Sequence, residues 1–275
     1  MCGLVAGTLQ AGVFNPWDRA LYLAHVNHRT FLDLRNFKNP YEGFHQSVMH
    51  KVISGGMYFP LEDMLHETIP EMENSALHSF TCGVVAGAGI ALLTNPLTAI
   101  KYQSWGSEKH KGRLFHTAQH MLRKGGAPVF FRAIHTTVFR DIIWGGTFAM
   151  LRHRIPHWIQ PEGAAKPNDH RKPGFVSLFS NVAAGAISTM ASSPINYIRN
   201  LQYGQQVGLS SKSASSIIDK LRQDAHNHRL QNQGSRLKYI AGRLAIGWGT
   251  LRVALGLGFS SQLYGACIQY SFLAD

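Results

Sequence analysis

The chain has 275 residues, 45% of them hydrophobic and 15% charged, with 27 Lys and Arg against 15 Asp and Glu for a formal net charge of +12. This composition supplies a core, which excludes a disordered or collagen-like chain, and its 3 cysteines are too few for a disulfide scaffold. A basic balance suits either nucleic acid or an anionic membrane surface, but no aromatic-basic recognition module accompanies the charge, so no nucleic-acid partner is expected.

The first element opens on Gly3-Leu-Val-Ala6-Gly7 and reaches Pro16 nine residues after Gly7. Small residues at four-residue spacing let helix backbones approach closely in lipid, and a proline inside such a helix is expected to kink it. The linker Asn27 to Pro40, with Phe31, Leu32, Leu34 and Phe37 among charges, is too short for a surface helix and is expected to lie as an extended strap. Tyr41-Glu42-Gly43 then opens a second helix carrying His50, with Gly56 six residues on. The same grammar returns as Gly83-Val-Val-Ala86-Gly87 with Pro96, and then as Phe131-Arg132-Ala133 leading to Arg140 and Gly146. It returns a third time as Asn181-Val-Ala-Ala184-Gly185 with Pro194, followed by Arg252 and Gly258. Between the paired helices, Phe115 to Lys124 and Ala214 to Leu230 carry apolar residues at helical spacing, such as Ile217, Ile218, Leu221 and Ala225, and read as amphipathic surface helices. Pro161 to Pro173 reads as an exposed loop. Self-similarity in one register predicts three two-helix repeats, at residues 1–75, 76–160 and 174–275, within one domain.

A mean hydropathy of -0.10 does not announce six spans. Windows such as Cys82 to Thr94 are convincing and most others marginal, as expected of a bundle whose polar residues face a wet interior. A soluble helical protein with Gly-rich core helices is the competing reading. Basic residues gather in Lys109 to Arg113, Arg152 to Arg154 and Arg222 to Lys238, outside the apolar stretches, where anionic head groups would meet them. Cys2, Cys82 and Cys267 lack paired spacing and read as small apolar residues. No cleavable targeting segment precedes the first helix, so import on internal signals is expected.

In its threefold Ala-Gly and proline landmarks, with Asn15-Pro16-Trp17-Asp18 and Arg140-Asp141 as the best local pieces, the chain resembles the mitochondrial carrier family over nearly its whole length. That resemblance implies an all-α membrane protein of six transmembrane helices in three repeats with pseudo-threefold symmetry, multi-pass in the mitochondrial inner membrane. Both termini would face the intermembrane space, and cardiolipin or another phospholipid would be bound without any other cofactor. It also implies kinks at Pro16, Pro96 and Pro194, and cavity contacts at His50, Lys51, Arg140, Asp141 and Arg252.

In the family each kink motif runs Pro-x-acidic-x-x-basic, and the acids pair with bases of the next repeat to close the matrix side. Here the acid positions hold Asp18, Thr98 and Asn196 and the base positions hold Leu21, Lys101 and Arg199. Asp18 with Lys101 is the one ion pair expected, with at most a neutral hydrogen bond between Thr98 and Arg199. On the intermembrane side, Asp63 and His66 remain of six charged positions. Either the gates are lost, or hydrogen bonds and apolar plugs replace ion pairs that barely offset their desolvation.

Two functions follow from this pattern. The first is a structural accessory subunit of a respiratory-chain or ATP synthase complex, with transport gates largely lost. The alternative is an active carrier of amino-acid-like or carnitine-like substrates, for which the Arg140-Asp141 pair suits a zwitterion. No enzyme is expected, since no nucleophile–base–acid set, phosphate loop or dinucleotide fingerprint is present. No metal centre is expected either, because the pairs His45 with His50 and His116 with His120 lack a Cys or carboxylate to complete a shell.

Overall fold

A computed structural model describes residues 2–70, 72–106, 114–159, 175–231 and 235–274. The Pro161 to Pro173 loop and the Lys109 to Arg113 cluster lie outside the described residues, as do the side chains of Cys2, Glu62, Asp63 and Cys267. Among the described residues the fold is all-helical: α1 Cys2–Val26, α2 Phe44–Thr68, α3 Ser75–Gly106, α4 Leu114–Gly125, α5 Ile134–Ile159, α6 Phe175–Tyr203, α7 Ala214–Leu230, α8 Arg236–Arg243 and α9 Trp248–Ala274. The long helices α1, α2, α3, α5, α6 and α9 pack neighbour on neighbour in chain order, and α9 returns to α1, which closes a ring. Helices α3 and α6 are long and apolar enough to cross a membrane, and α8 with the first half of α9 also passes across a 42° bend.

Each proline is carried inside its helix, Pro16 in α1, Pro96 in α3 and Pro194 in α6. The asparagine before the first two does related work. Asn15 Nδ2 donates to the Pro40 carbonyl at 2.8 Å and Asn95 Nδ2 donates to the Phe130 carbonyl at 2.8 Å, so each pins the chain that leads to the next long helix. In the third unit Ser193 instead bonds back to Thr189 of its own helix. Gly43, Ala133 and Ala245 all adopt positive φ, at 70°, 58° and 52°. Each stands seven residues before His50, Arg140 or Arg252, so the turn into α2, α5 and α9 keeps one register.

The small residues meet where the spacing predicts. A Cβ at Gly145 would lie 2.5 Å from the Gly83 carbonyl oxygen, and one at Gly87 would lie 2.5 Å from that of Asp141. Helices α3 and α5 therefore touch backbone to backbone. The surface helices lie where the periodicity puts them: Ile217 and Ala225 of α7 are buried, with Ile218 and Leu221 packed against the same cluster. Helix α8 was not foreseen, being only eight residues long. Arg152, read as part of an exterior basic cluster, lies within α5 and is buried.

The strap between α1 and α2 is not extended. Its centre is a single 3-10 turn, Leu34–Phe37, capped by Asp33. Buried Asn36 donates to the Thr30 carbonyl at 2.8 Å, and buried Arg19 of α1 donates to the Lys38 carbonyl at 2.6 Å while pairing with Glu42 at 2.5 Å. Phe31 stacks on Trp248 at 4.9 Å and meets Trp17 at 5.8 Å, which ties the strap to both α1 and α9. Polar and aromatic anchors thus fold a segment too short for an α-helix into a compact turn.

Removing one partner of a buried ion pair leaves the other uncompensated, at a cost of about 3–5 kcal/mol. Arg19→Ala is therefore expected to lower the melting temperature of the purified protein in detergent markedly, with Arg19→Lys intermediate. An unchanged melting temperature in Arg19→Ala would show that the strap does not depend on this anchor.

Candidate functional site

The interior of the ring is lined by charge. Asp18 of α1 forms a two-pronged pair with Arg252 of α9, Nε to Oδ1 and Nη2 to Oδ2, both at 2.5 Å. Arg252 is 5% exposed and its guanidinium also lies 5.1 Å from the centre of the Phe14 ring, so it is held on two sides. Lys51 of α2 and Lys101 of α3 are the other cations whose charge reaches Asp18. On α5, Arg140 and Asp141 are ion-paired with each other, and Asp141 also lies within electrostatic reach of Arg199 on α6. His50 of α2 sits within reach of Lys51, Lys101, Arg140 and Arg199. The structure thus brings together His50, Lys51, Lys101, Arg140, Asp141, Arg199, Arg252 and Asp18 from six helices.

Among the described residues, Lys51 has no carboxylate within ion-pair distance. Two carboxylates face five Lys and Arg side chains there, and both are already paired with arginines. The interior is therefore net positive, with Lys51, and Lys101 over the Trp105 ring, outside any ion pair among the described residues.

The expected pairing of Asp18 with Lys101 is not formed. Arg252 takes both carboxylate oxygens, because a guanidinium offers a planar fork that an ammonium lacks. Lys101 instead lies over the Trp105 ring, its nitrogen 4.4 Å from the centroid. Arg199 donates to the Tyr102 hydroxyl at 2.9 Å, and the Thr98 hydroxyl donates to the Thr94 carbonyl of its own helix rather than meeting Arg199. Asn196 Oδ1 is buried without a hydrogen-bond partner among the described residues.

Where α1, α3 and α6 end, aromatic rings occupy the space between them. Tyr22, Tyr102, Trp105 and Tyr203 form one buried cluster, with Tyr22 and Tyr102 at 4.6 Å and Tyr102 and Tyr203 stacked at 5.1 Å. The Tyr203 hydroxyl donates to Asn95 Oδ1 at 2.5 Å, and Gln103 Nε2 donates to the carbonyls of Tyr203 at 2.7 Å and Gln205 at 2.8 Å. An aromatic and hydrogen-bonded cluster stands at the end of α1, α3 and α6 where charged pairs were expected. The signal was present as Tyr22 and Tyr102, each six residues past its kink proline. Tyr102→Ala is expected to open this cluster, seen as faster amide hydrogen exchange across residues 95–105; exchange as slow as in the unaltered protein would show that the rings do not seal that end.

At the opposite end, Asp63 has no described side chain. The His66 ring, at the end of α2, packs on that of His78 at 5.0 Å. His45 with His50 and His116 with His120 do not gather a third metal-binding donor among the described residues.

The match to known proteins is carried by the same elements. Residues 72–162, which span α3, α4 and α5, match the family model described as mitochondrial carrier protein. Over that stretch the chain is similar to mitochondrial carrier proteins. It is also similar to the mitochondrial glycine transporter of Kluyveromyces lactis, with 21% identity over 222 residues, covering 72% of this chain and 76% of that protein. Apolar residues such as Val13, Leu92, Leu93 and Phe139 are exposed on the long helices. The family-model match covers the close α3–α5 packing and the Arg140–Asp141 pair.

A second feature lies beneath the strap. A pocket of about 430 Å³ is lined by Arg19, Arg29, Arg35, Lys38, Glu42 and Trp105, among others. Buried Arg19 Nε and Trp105 Nε1 have no hydrogen-bond partner among the described residues. The lining is rich in donors and cations, and its one carboxylate is held by Arg19.

Proposed function

We propose that this protein is a mitochondrial carrier and transports a small zwitterionic or carboxylate-bearing solute of the amino-acid type across the inner membrane. The observation that carries the reading is the net-positive interior with Lys51 unneutralised beside two arginine-held carboxylates. In that arrangement Lys51 receives the solute's carboxylate, while Asp141, exchanging part of its contact with Arg140, receives an ammonium group. Lipid exposure would make such ionisable groups expensive, and at membrane depth they are retained for a use. The likeness to a glycine transporter supports an amino-acid substrate, and the aromatic closure supplies a gate that needs no ion pair. Six spans in three repeats and termini on the intermembrane side belong to the same proposal.

Binding shifts the folding equilibrium toward the bound state, by about 2.7 kcal/mol at a hundred times the dissociation constant. Purified protein in detergent is therefore expected to gain thermal stability in millimolar glycine or a related small amino acid, and Lys51→Gln to lose that gain. A flat response across amino acids, carnitine and dicarboxylates would count against a live interior.

An accessory role in a respiratory-chain or ATP synthase assembly is the second reading. It is favoured by Leu32 and Leu34 of the strap, 63% and 84% exposed beside a rigid turn and available to a neighbouring subunit. Native fractionation in mild detergent separates the two, since stoichiometric co-migration with a large complex supports the second reading and migration as a free carrier supports the first. The cationic pocket under the strap is the proposed seat of an anionic phospholipid, cardiolipin included, because donor-rich walls with unpaired N–H groups suit phosphate oxygens.

A further inference from the structure

We propose a metal site at the turn between α2 and α3, formed by His66, His78 and Cys82, that takes a borderline-soft cation of the zinc type. The three side chains come from two helices joined by a short connection. His78 and Cys82 are one turn apart on α3, so they share a face, and the Cys82 sulfur lies 3.8 Å from His78 Nε2. His66 reaches the same point from the last turns of α2. All three donor atoms fall within 4.8 Å of one another, the one such trio among the described residues.

The separation suits the chemistry. Tetrahedral zinc with Zn–S near 2.3 Å and Zn–N near 2.0–2.1 Å places neighbouring donors about 3.3–3.6 Å apart. The Cys82–His78 distance is within a few tenths of an ångström of that range, and small side-chain rotations would draw all three donors to a common ion. Thiolate and imidazole ligands select zinc or copper(I) over magnesium or calcium, which prefer oxygen. Cys82 is fully buried and His78 is 8% exposed, while half-buried His66 keeps one side of the site open for the ion to enter. Binding would displace the Cys82 thiol proton to water and form the metal–sulfur bond, leaving a fourth position for water or another donor. His153 of α5 is in electrostatic reach of His66 and bonds Ser75 at the head of α3, so a further imidazole stands near this end of the ring.

Such a site would clamp the α2–α3 connection and fix the spacing of the two helices at that end of the ring. It is independent of which solute the interior carries.

The test uses the full chain purified in detergent and stripped with chelator. Titration with zinc chloride followed by calorimetry is expected to show one equivalent bound, weakened at least tenfold by Cys82→Ser and by His78→Ala. Cobalt(II) added to the unaltered protein is expected to give a thiolate-to-cobalt charge-transfer band in the near ultraviolet, a readout that does not depend on any variant folding. A cobalt-loaded protein without that band, or zinc affinity unchanged in both variants, would overturn the proposal.

Discussion

Replacing Arg252 by alanine is expected to lower stability, by less than the about 3–5 kcal/mol of a wholly uncompensated buried charge, because Lys51 and Lys101 still reach the Asp18 carboxylate that loses its forked partner. Asp18→Asn removes the opposite half and leaves Arg252 with the Phe14 ring alone, a contact worth about 0.5–2 kcal/mol, so it should also destabilise the protein. The double variant Arg252→Ala with Asp18→Asn, which removes both charges, should be milder than the sum of the single changes. Measured by denaturation in detergent, that difference is the coupling between α1 and α9 across the seam that closes the ring. Additive costs, with no coupling, would mean that the two side chains do not meet in the folded protein.

The second large effect concerns the backbone contact of α3 with α5. Gly83→Leu and Gly145→Leu are expected to abolish accumulation of monodisperse protein, since the atoms they meet are main-chain carbonyls that cannot rotate away. Overpacking a flexible core costs about 1–3 kcal/mol, and a clash with backbone in two helices held at their closest approach should reach or pass the upper end of that range. Gly12 and Gly249 are the controls, because a Cβ at either would meet nothing within 4 Å. Gly12→Ala and Gly249→Ala should therefore behave as the unaltered protein does. If the Gly83 and Gly145 variants matched these controls, the close helix approach would be absent.

Much of the frame was legible because it is local or periodic. Ala-Gly with a proline nine residues on, and the turn residues Gly43, Ala133 and Ala245, recur at fixed offsets and survive as fixed geometry. Helices α4 and α7 follow from apolar spacing, but only in α7 are the buried residues, Ile217 and Ala225, the ones that spacing selects; in α4 Thr117 and Met121 are buried and Phe115 is exposed. Partner choice was less legible, because it depends on which side chains converge from distant helices. Asp18 sits two residues after Pro16, as an acid of that motif should, yet it meets Arg252, 234 residues away, through a fork that Lys101 lacks. Tyr102 and Trp105 took over Arg199 and Lys101, and nothing in the spacing announces that aromatic faces and a phenol would do so. His66, His78 and Cys82 are not legible for the same reason: they come together from two helices, and no spacing within one segment joins them. The strap was misjudged because a short linker was assumed to be straight, whereas Arg19, Asn36 and Phe31 fold it by side-chain contacts that no periodicity encodes.

Uptake of labelled glycine and related small amino acids by proteoliposomes holding the purified chain tests the carrier reading most directly, with Arg140→Ala as the paired variant. Saturable uptake by the unaltered protein, abolished in Arg140→Ala at equal incorporation, is the predicted result. Uptake no greater than in empty vesicles across amino-acid, carnitine and dicarboxylate solutes, from protein that is folded and correctly inserted, would contradict it.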